Sequence, residues 1–329
     1  MTKRTIFLPI FFIASVLFLL APQDIILSHR MRFEEIGYPT SEANLANLRK
    51  ACGKNMTVLM GDSWALQGVD PRLLGPNFIS ITFGGATPIE IYLLAKNRWK
   101  CAEWPKNVIL SFAPHHFFYE DGYWAFQERI ATINDRLDIR RDSYRLHDDA
   151  VYSLWHLPNL DMASKINEIV RELQLPSLYF SRYEDSLFDS KLKENMATYD
   201  DMIGESRGFY SQGDTTPDNL EGEPHEILKD FVPSPVVDEN FDKLLKLLNS
   251  RGISIFFLPM PISEITSHEM TAAFRNGFID YINKKGADNN MKVIGNFFTP
   301  YPNNCYHDSG HLRTRCSKIW TRQIAPLMP

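Results

Sequence analysis

The sequence contains no Cys-x-x-Cys pair, no internal repeat of fixed period and no low-complexity tract. The first absence removes the usual spacing of structural zinc sites. The second removes solenoids and propellers, and the third removes compositionally biased disordered segments. Formal net charge is only -5, and no run of Lys and Arg is interleaved with aromatics. Nucleic acid is therefore not expected as a partner. Long apolar runs are also scarce, with one conspicuous exception at the amino terminus.

What is present reads as a globular α/β protein. The 329 residues are 44% hydrophobic and 23% charged, enough to bury one large core carrying insertions. The exception is TIFLPIFFIASVLFLLA at residues 5–21, behind the basic Lys3-Arg4. Its length reaches the lower limit of a spanning helix, about 17–25 residues. Residues 1–22 are read as an amino-terminal membrane anchor and 23–53 as a stalk and lead-in. The basic start stays in the cytoplasm, so the folded part lies in the periplasm or outside the cell, tethered to the inner membrane by one pass. A cleaved signal peptide is the alternative, although Leu20-Ala21-Pro22-Gln23 is a poor small-x-small site.

Four cysteines in an exported chain allow three full pairings. Cys305 and Cys316 flank one polar loop closely, and a bridge there would brace it. Cys52 and Cys101, each just before a predicted strand, would then be the other pair. Four buried thiols are the alternative.

The most informative stretch is Thr57-Val58-Leu59-Met60-Gly61-Asp62-Ser63-Trp64. An apolar run bounded by a turn signal predicts a buried strand over residues 57–60. Gly61 permits a sharp turn at its carboxyl end, where open α/β sheets place their chemistry. A serine at the start of the next segment can attack a carbonyl, while its own N–H helps hold the oxyanion. Ser63 could equally be a simple helix cap. Near the other end, Asp308-Ser309-Gly310-His311 places an acid and a histidine three apart in one loop. A nucleophilic serine needs a base, and the base needs a carboxylate to fix its tautomer.

Together these two stretches resemble the SGNH (GDSL) hydrolase superfamily, in which the serine lies early and the Asp and His lie late. The resemblance implies Ser63 as nucleophile, His311 as general base and Asp308 as its orienting acid. It implies a three-layer α/β fold with a parallel sheet over residues 54–329. The strand predicted over 77–82 ends at Phe83-Gly84-Gly85. Gly84 and Gly85 match the place where the family supplies an oxyanion N–H, beside the amide of Ser63. After the strand predicted over 107–112 the family carries an asparagine donor, but this chain has Ala113-Pro114-His115-His116. His115 or His116 is then the candidate replacement. Adjacent histidines without further ligands are not expected to hold a metal, and no cofactor is implied.

The strand–helix rhythm breaks over about 117–235, read as a mainly helical insertion with helix-like pieces at 161–173 and 185–202. Tyr119, Tyr123, Trp124 and Trp155 within it are candidate sugar-stacking groups. The rhythm resumes with a helix at 236–250, a strand at 253–258, a helix at 263–285, a strand at 292–295 and a closing helix at 312–324. The loop 296–311 carries the base.

Ser-His-Asp chemistry is acyl transfer. An anchored, exported SGNH-like domain without the usual asparagine resembles extracytoplasmic O-acyltransferases of polysaccharide modification, of the alginate O-acetylation and teichoic acid D-alanyl-transfer kinds. That resemblance implies a glycan acceptor and an acyl donor delivered by a multi-pass membrane O-acyltransferase. An exported esterase or carbohydrate deacetylase, and a non-catalytic binding protein of the same fold, remain open on the residues alone.

Overall fold

The computed structural model describes residues 37–118, 130–149, 151, 185–211, 213–215 and 228–329. The larger of two compact units comprises Thr40–His156 and Thr198–Pro329. The smaller comprises Met1–Pro39 and Leu157–Ala197, of which 37–39 and 185–197 are described. They belong to the beginnings of helices α1 (Gly37–Leu48) and α5 (Asp185–Ile203).

The larger unit is α/β. Its central sheet contains β1 (Thr57–Gly61), β2 (Phe78–Thr82), β3 (Asn107–Ser111), β4 (Ser254–Phe257) and β6 (Met291–Val293). The spatial order is β2-β1-β3-β4-β6, and every pairing is parallel. Two short strands, β5 (Ile262–Ser263) and β7 (Pro300–Tyr301), form a separate parallel pair. Every residue of β1, β2 and β3 is buried. β1 and β3 are largely continuous apolar runs. β2 is buried on both faces although Ser80 and Thr82 alternate with Ile79 and Ile81, their two hydroxyls pairing at 2.9 Å. Such strands need cover on both sides, as parallel crossovers provide.

That cover comes from the intervening helices. They are α2 (Ser63–Gly68), α3 (Pro88–Asn97), α4 (Ile133–Leu146) and α6 (Pro235–Ser250), followed by α7 (Glu264–Glu269), α8 (Ala272–Asn289) and α9 (Thr314–Ile324). Helix α6 packs on α3 and α8, while α9 packs on α2. Right-handed crossovers place these two groups on opposite faces, because the chain leaves β1 one way toward β2 and returns the other way to β3. The reversal beside β1 is the topological switch point at which open α/β sheets bind ligands. In register, Gly61 lies between Thr82 and Ser111, so three strands finish level.

The outer edge of β2 is covered. The amide of Ser80 donates to the Arg207 carbonyl at 2.9 Å, and a Cβ on Gly208 would collide with the Ser80 carbonyl. A covered edge cannot template pairing with another chain. From Thr40 onward the lead-in helix belongs to the larger unit. Asn44, fully buried, donates to the Thr82 carbonyl at 2.5 Å, and Asn47 donates to the Met202 carbonyl at 2.8 Å.

Two expectations change. The helix expected over 263–285 is broken at Met270 and Thr271. Met270 is extended, and the Thr271 hydroxyl accepts the Phe274 N–H to start α8 afresh. The loop 296–311 is more regular than expected, holding β7, a 3-10 turn at Asn303–Cys305 and a bridge between Tyr306 and Leu312. Among the described residues no helix is long and apolar enough to cross a membrane. The run 5–21, the piece 161–173 and the aromatics Tyr119, Tyr123, Trp124 and Trp155 lie outside the described residues.

Candidate active site

Ser63 stands at the carboxyl end of β1. Glycine is required at 61 because β1 and β3 converge there: a Cβ would fall 1.7 Å from the Ser111 carbonyl oxygen. Asp62 caps α2, its Oδ1 accepting the N–H groups of Trp64 at 3.0 Å and Ala65 at 3.4 Å. The cap therefore takes the second and third amides of the helix and leaves that of Ser63. Trp64 through Gly68 are all buried, whereas Ser63 is half-exposed.

Two neighbouring strand ends present similar half-exposed positions. After β2 come Gly84 and Gly85, before Thr87 caps α3 through a capping box with Glu90. Gly85 adopts φ +63, and the space over Gly84 is open. After β3 comes the 3-10 turn Pro114–Phe117, which carries His115 and His116. Phe117 anchors this turn in an aromatic cluster, with its ring centroid 5.3 Å from Phe241, 5.8 Å from Phe112 and 5.8 Å from Phe278. Burying one such ring contributes roughly 1.5–3 kcal/mol, which holds the turn against fraying.

The two histidines part company. His116 is 3% exposed, and its Nδ1 meets Asp62 Oδ2 at 2.7 Å. The same oxygen accepts the Ala113 N–H at 2.5 Å. His115 instead lies edge-on to Trp64, with centroids 5.6 Å apart. Burial, together with the nearby His116 and His311, pushes the His115 imidazole well below its ordinary value. It is therefore neutral near pH 7.

The base loop is built from the other direction. His311 Nδ1 lies 2.7 Å from Asp308 Oδ2 and 2.8 Å from Oδ1. Asp308 Oδ1 also accepts the N–H groups of Gly310 and His311, at 3.0 and 2.9 Å. Burial opposes ionisation of this carboxyl, but the His311 bond and charge and those two amides outweigh it, and hold it down to about 2. A disulfide between Cys305 and Cys316, with Cα atoms 5.4 Å apart, ties the loop to α9. The Arg313 amide donates to the Cys305 carbonyl and its Nε to that of Tyr306. A second bridge joins Cys52 and Cys101, with Cα atoms 5.5 Å apart, away from this loop in sequence.

The two halves meet at Trp64. Its indole lies against the backbone of Gly310, with no room for a Cβ there. His311 Nε2 is buried and makes no hydrogen bond among the described residues. The expected bond from this nitrogen to Ser63 is thus not made. Such bonds are often long or unaligned in empty sites and tighten on binding substrate. An apolar recess beside Trp64 and Pro114, walled by Met260 and Phe298, has room for about one water-sized group. Among the described residues no group of three His, Cys, Asp or Glu is arranged to hold a metal.

Sequence reasoning left His115 and His116 equivalent and did not give Asp62 a partner. The cap read from the sequence is Ser63, whereas the structure makes Asp62 the cap and Ser63 the first helical residue. Trp64, which carries the contact between the two halves, had no sequence signal beyond adjacency. No family model matches the chain, and no curated protein matches it.

Proposed function

We propose that this protein is an SGNH-like acyl-transfer enzyme that works outside the cytoplasmic membrane, anchored by residues 5–21, and places a short acyl group on a hydroxyl of an envelope or exopolysaccharide. The observation that carries the reading is the His311 ring. Its Nδ1 is bound to an ionised Asp308, its Nε2 is left over, and its loop is packed on the residue that follows Ser63.

In this reading Nε2 accepts the hydroxyl proton as Ser63 Oγ bonds to the acyl carbonyl carbon. Asp308 fixes the tautomer and supports the imidazolium. The N–H groups of Ser63 and of Gly84 or Gly85 face the oxyanion, and the neutral His115 contributes a third donor where the family carries asparagine. Collapse breaks the bond to the donor's oxygen, which takes the proton back from His311 and leaves an acyl-serine. A sugar hydroxyl then gives its proton to Nε2 and attacks the acyl carbon. The bond to Ser63 Oγ breaks, and Nε2 returns the proton to that oxygen, restoring the free serine and the neutral His311. The resemblance to anchored O-acyltransferases is what suggests a multi-pass membrane O-acyltransferase as supplier of the acyl donor.

The test uses the full-length protein with p-nitrophenyl acetate as donor and candidate glycans as acceptors, read by mass. Acetyl on Ser63, passed to a glycan and absent in Ser63→Ala, is the expected result. Acetyl that goes to water alone makes the protein an esterase. Unchanged labelling in Ser63→Ala would remove the acyl-transfer reading.

A further inference from the structure

The Asp62–His116 pair is a buried carboxylate and imidazole that the acyl-transfer steps do not use. Asp62 is fully buried, and His116 is nearly so. A carboxylate without water is costly unless donors replace its hydration. Four do so here: the amides of Trp64 and Ala65 on Oδ1, and the Ala113 amide with His116 Nδ1 on Oδ2. The four come from two different strand ends. The first two fix the turn that presents Ser63. The last two fix the turn that presents His115, whose ring packs edge-on against His116 at 4.2 Å. Asp62 is therefore the joint between the serine corner and the His115 corner, and His116 is its only side-chain donor among the described residues.

We infer that His116 is a positioning residue, which holds Ser63 and His115 in register with each other by donating Nδ1–H to Asp62. The inference rests on the acyl-transfer reading. Without that donor the Asp62 carboxylate is free to rotate toward its remaining amides, and the two corners lose their common anchor. A displacement of about 1 Å at a reacting group can cost about 100-fold in rate. His116 does not touch the reacting atoms, so substrate binding should be little affected.

Three variants of the full-length protein separate donor from packing: His116→Phe keeps a ring without a donor, His116→Asn keeps an N–H near the place of Nδ1, and His116→Ala keeps neither. With p-nitrophenyl acetate, His116→Phe and His116→Ala should lower kcat roughly 10- to 100-fold, with KM within about twofold of the parent. His116→Asn should recover most of the loss, even where its melting temperature is no higher than that of His116→Phe. Wild-type kcat in His116→Phe, or no rescue by asparagine, overturns the inference. So does failure of all three to fold, since His116 would then serve folding alone. Ser63→Ala is measured alongside. If it keeps full turnover, the acyl-transfer reading falls; if it is inert while His116→Phe is normal, only the positioning role falls.

Discussion

The indole of Trp64 packs so closely on Gly310 that a Cβ at 310 would fall 2.0 Å from Nε1 and 2.3 Å from Cε2. One residue follows Ser63 and the other precedes His311. The contact lies where the early and late stretches of the chain meet, beside the packing of α9 on α2. Gly310→Ala should therefore overpack the joint and destabilise by about 1–3 kcal/mol. It should also lower the acylation rate of Ser63. A compensating Trp64→Phe, which shortens the ring system, should restore part of both losses. Melting curves and labelling rates that match the parent in Gly310→Ala would show that the contact does not set the loop.

Ser63→Ala and His311→Ala should each lower turnover at least about 1000-fold while leaving the far-ultraviolet spectrum unchanged. The double variant should be no worse than either single one, because each removes the same unit. Asp308→Asn should be nearly as damaging, since an amide cannot support the imidazolium. Additive losses would mean that these residues act separately.

Cys305→Ser should cost roughly 2–4 kcal/mol of stability under oxidising conditions. Turnover should fall less than in His311→Ala. The Tyr306–Leu312 bridge and the Arg313 bonds still hold the loop, and the base itself remains. A reductant opens the Cys52–Cys101 bridge as well, so the reduced parent should lose at least as much stability as Cys305→Ser. Urea melts and turnover, measured together, check both parts.

Acid should unfold the protein in a defined window. Burial works against the ionised form of Asp135, but Lys96, the Thr132 hydroxyl and amide, and Asn97 outweigh it, and hold the carboxyl at about 2 against 3.8 for a free one. Asp308 is held down in the same way. Between about pH 4 and pH 2 the unfolded chain thus binds more protons than the folded one, so stability falls as pH drops. Above about pH 5 both contributions are fully present. Asp135→Asn should be less stable at pH 6 yet show a shallower decline toward pH 2. An unchanged slope of urea midpoint against pH would rule out Asp135 as a source.

The anchor reading predicts that the full-length protein sediments with membranes and that deletion of residues 1–22 releases it. A mature chain beginning near Pro22 would identify a cleaved signal instead.

Much of the sheet was legible in the sequence because buried parallel strands announce themselves as short apolar runs closed by turn residues. Residues 57–60, 77–82, 107–112 and 253–258 each lie within one or two residues of β1, β2, β3 and β4. The boundary inside 263–285 was not legible. A threonine with no Gly or Pro breaker close to it on either side reads as helix until its hydroxyl is seen to take the Phe274 amide. The Asp308–His311 pair was readable because both residues sit in one tight loop, where spacing alone brings a carboxylate to a ring nitrogen. The division of labour between His115 and His116 was not. Adjacent side chains in a turn diverge, and which one meets Asp62 depends on how the end of β3 lies beside that of β1. The Trp64–Gly310 contact likewise depends on α9 packing against α2. Local sequence fixes the backbone's preferences and the chemistry each residue can offer, whereas contacts between distant segments follow from the packing of the whole sheet and its helices.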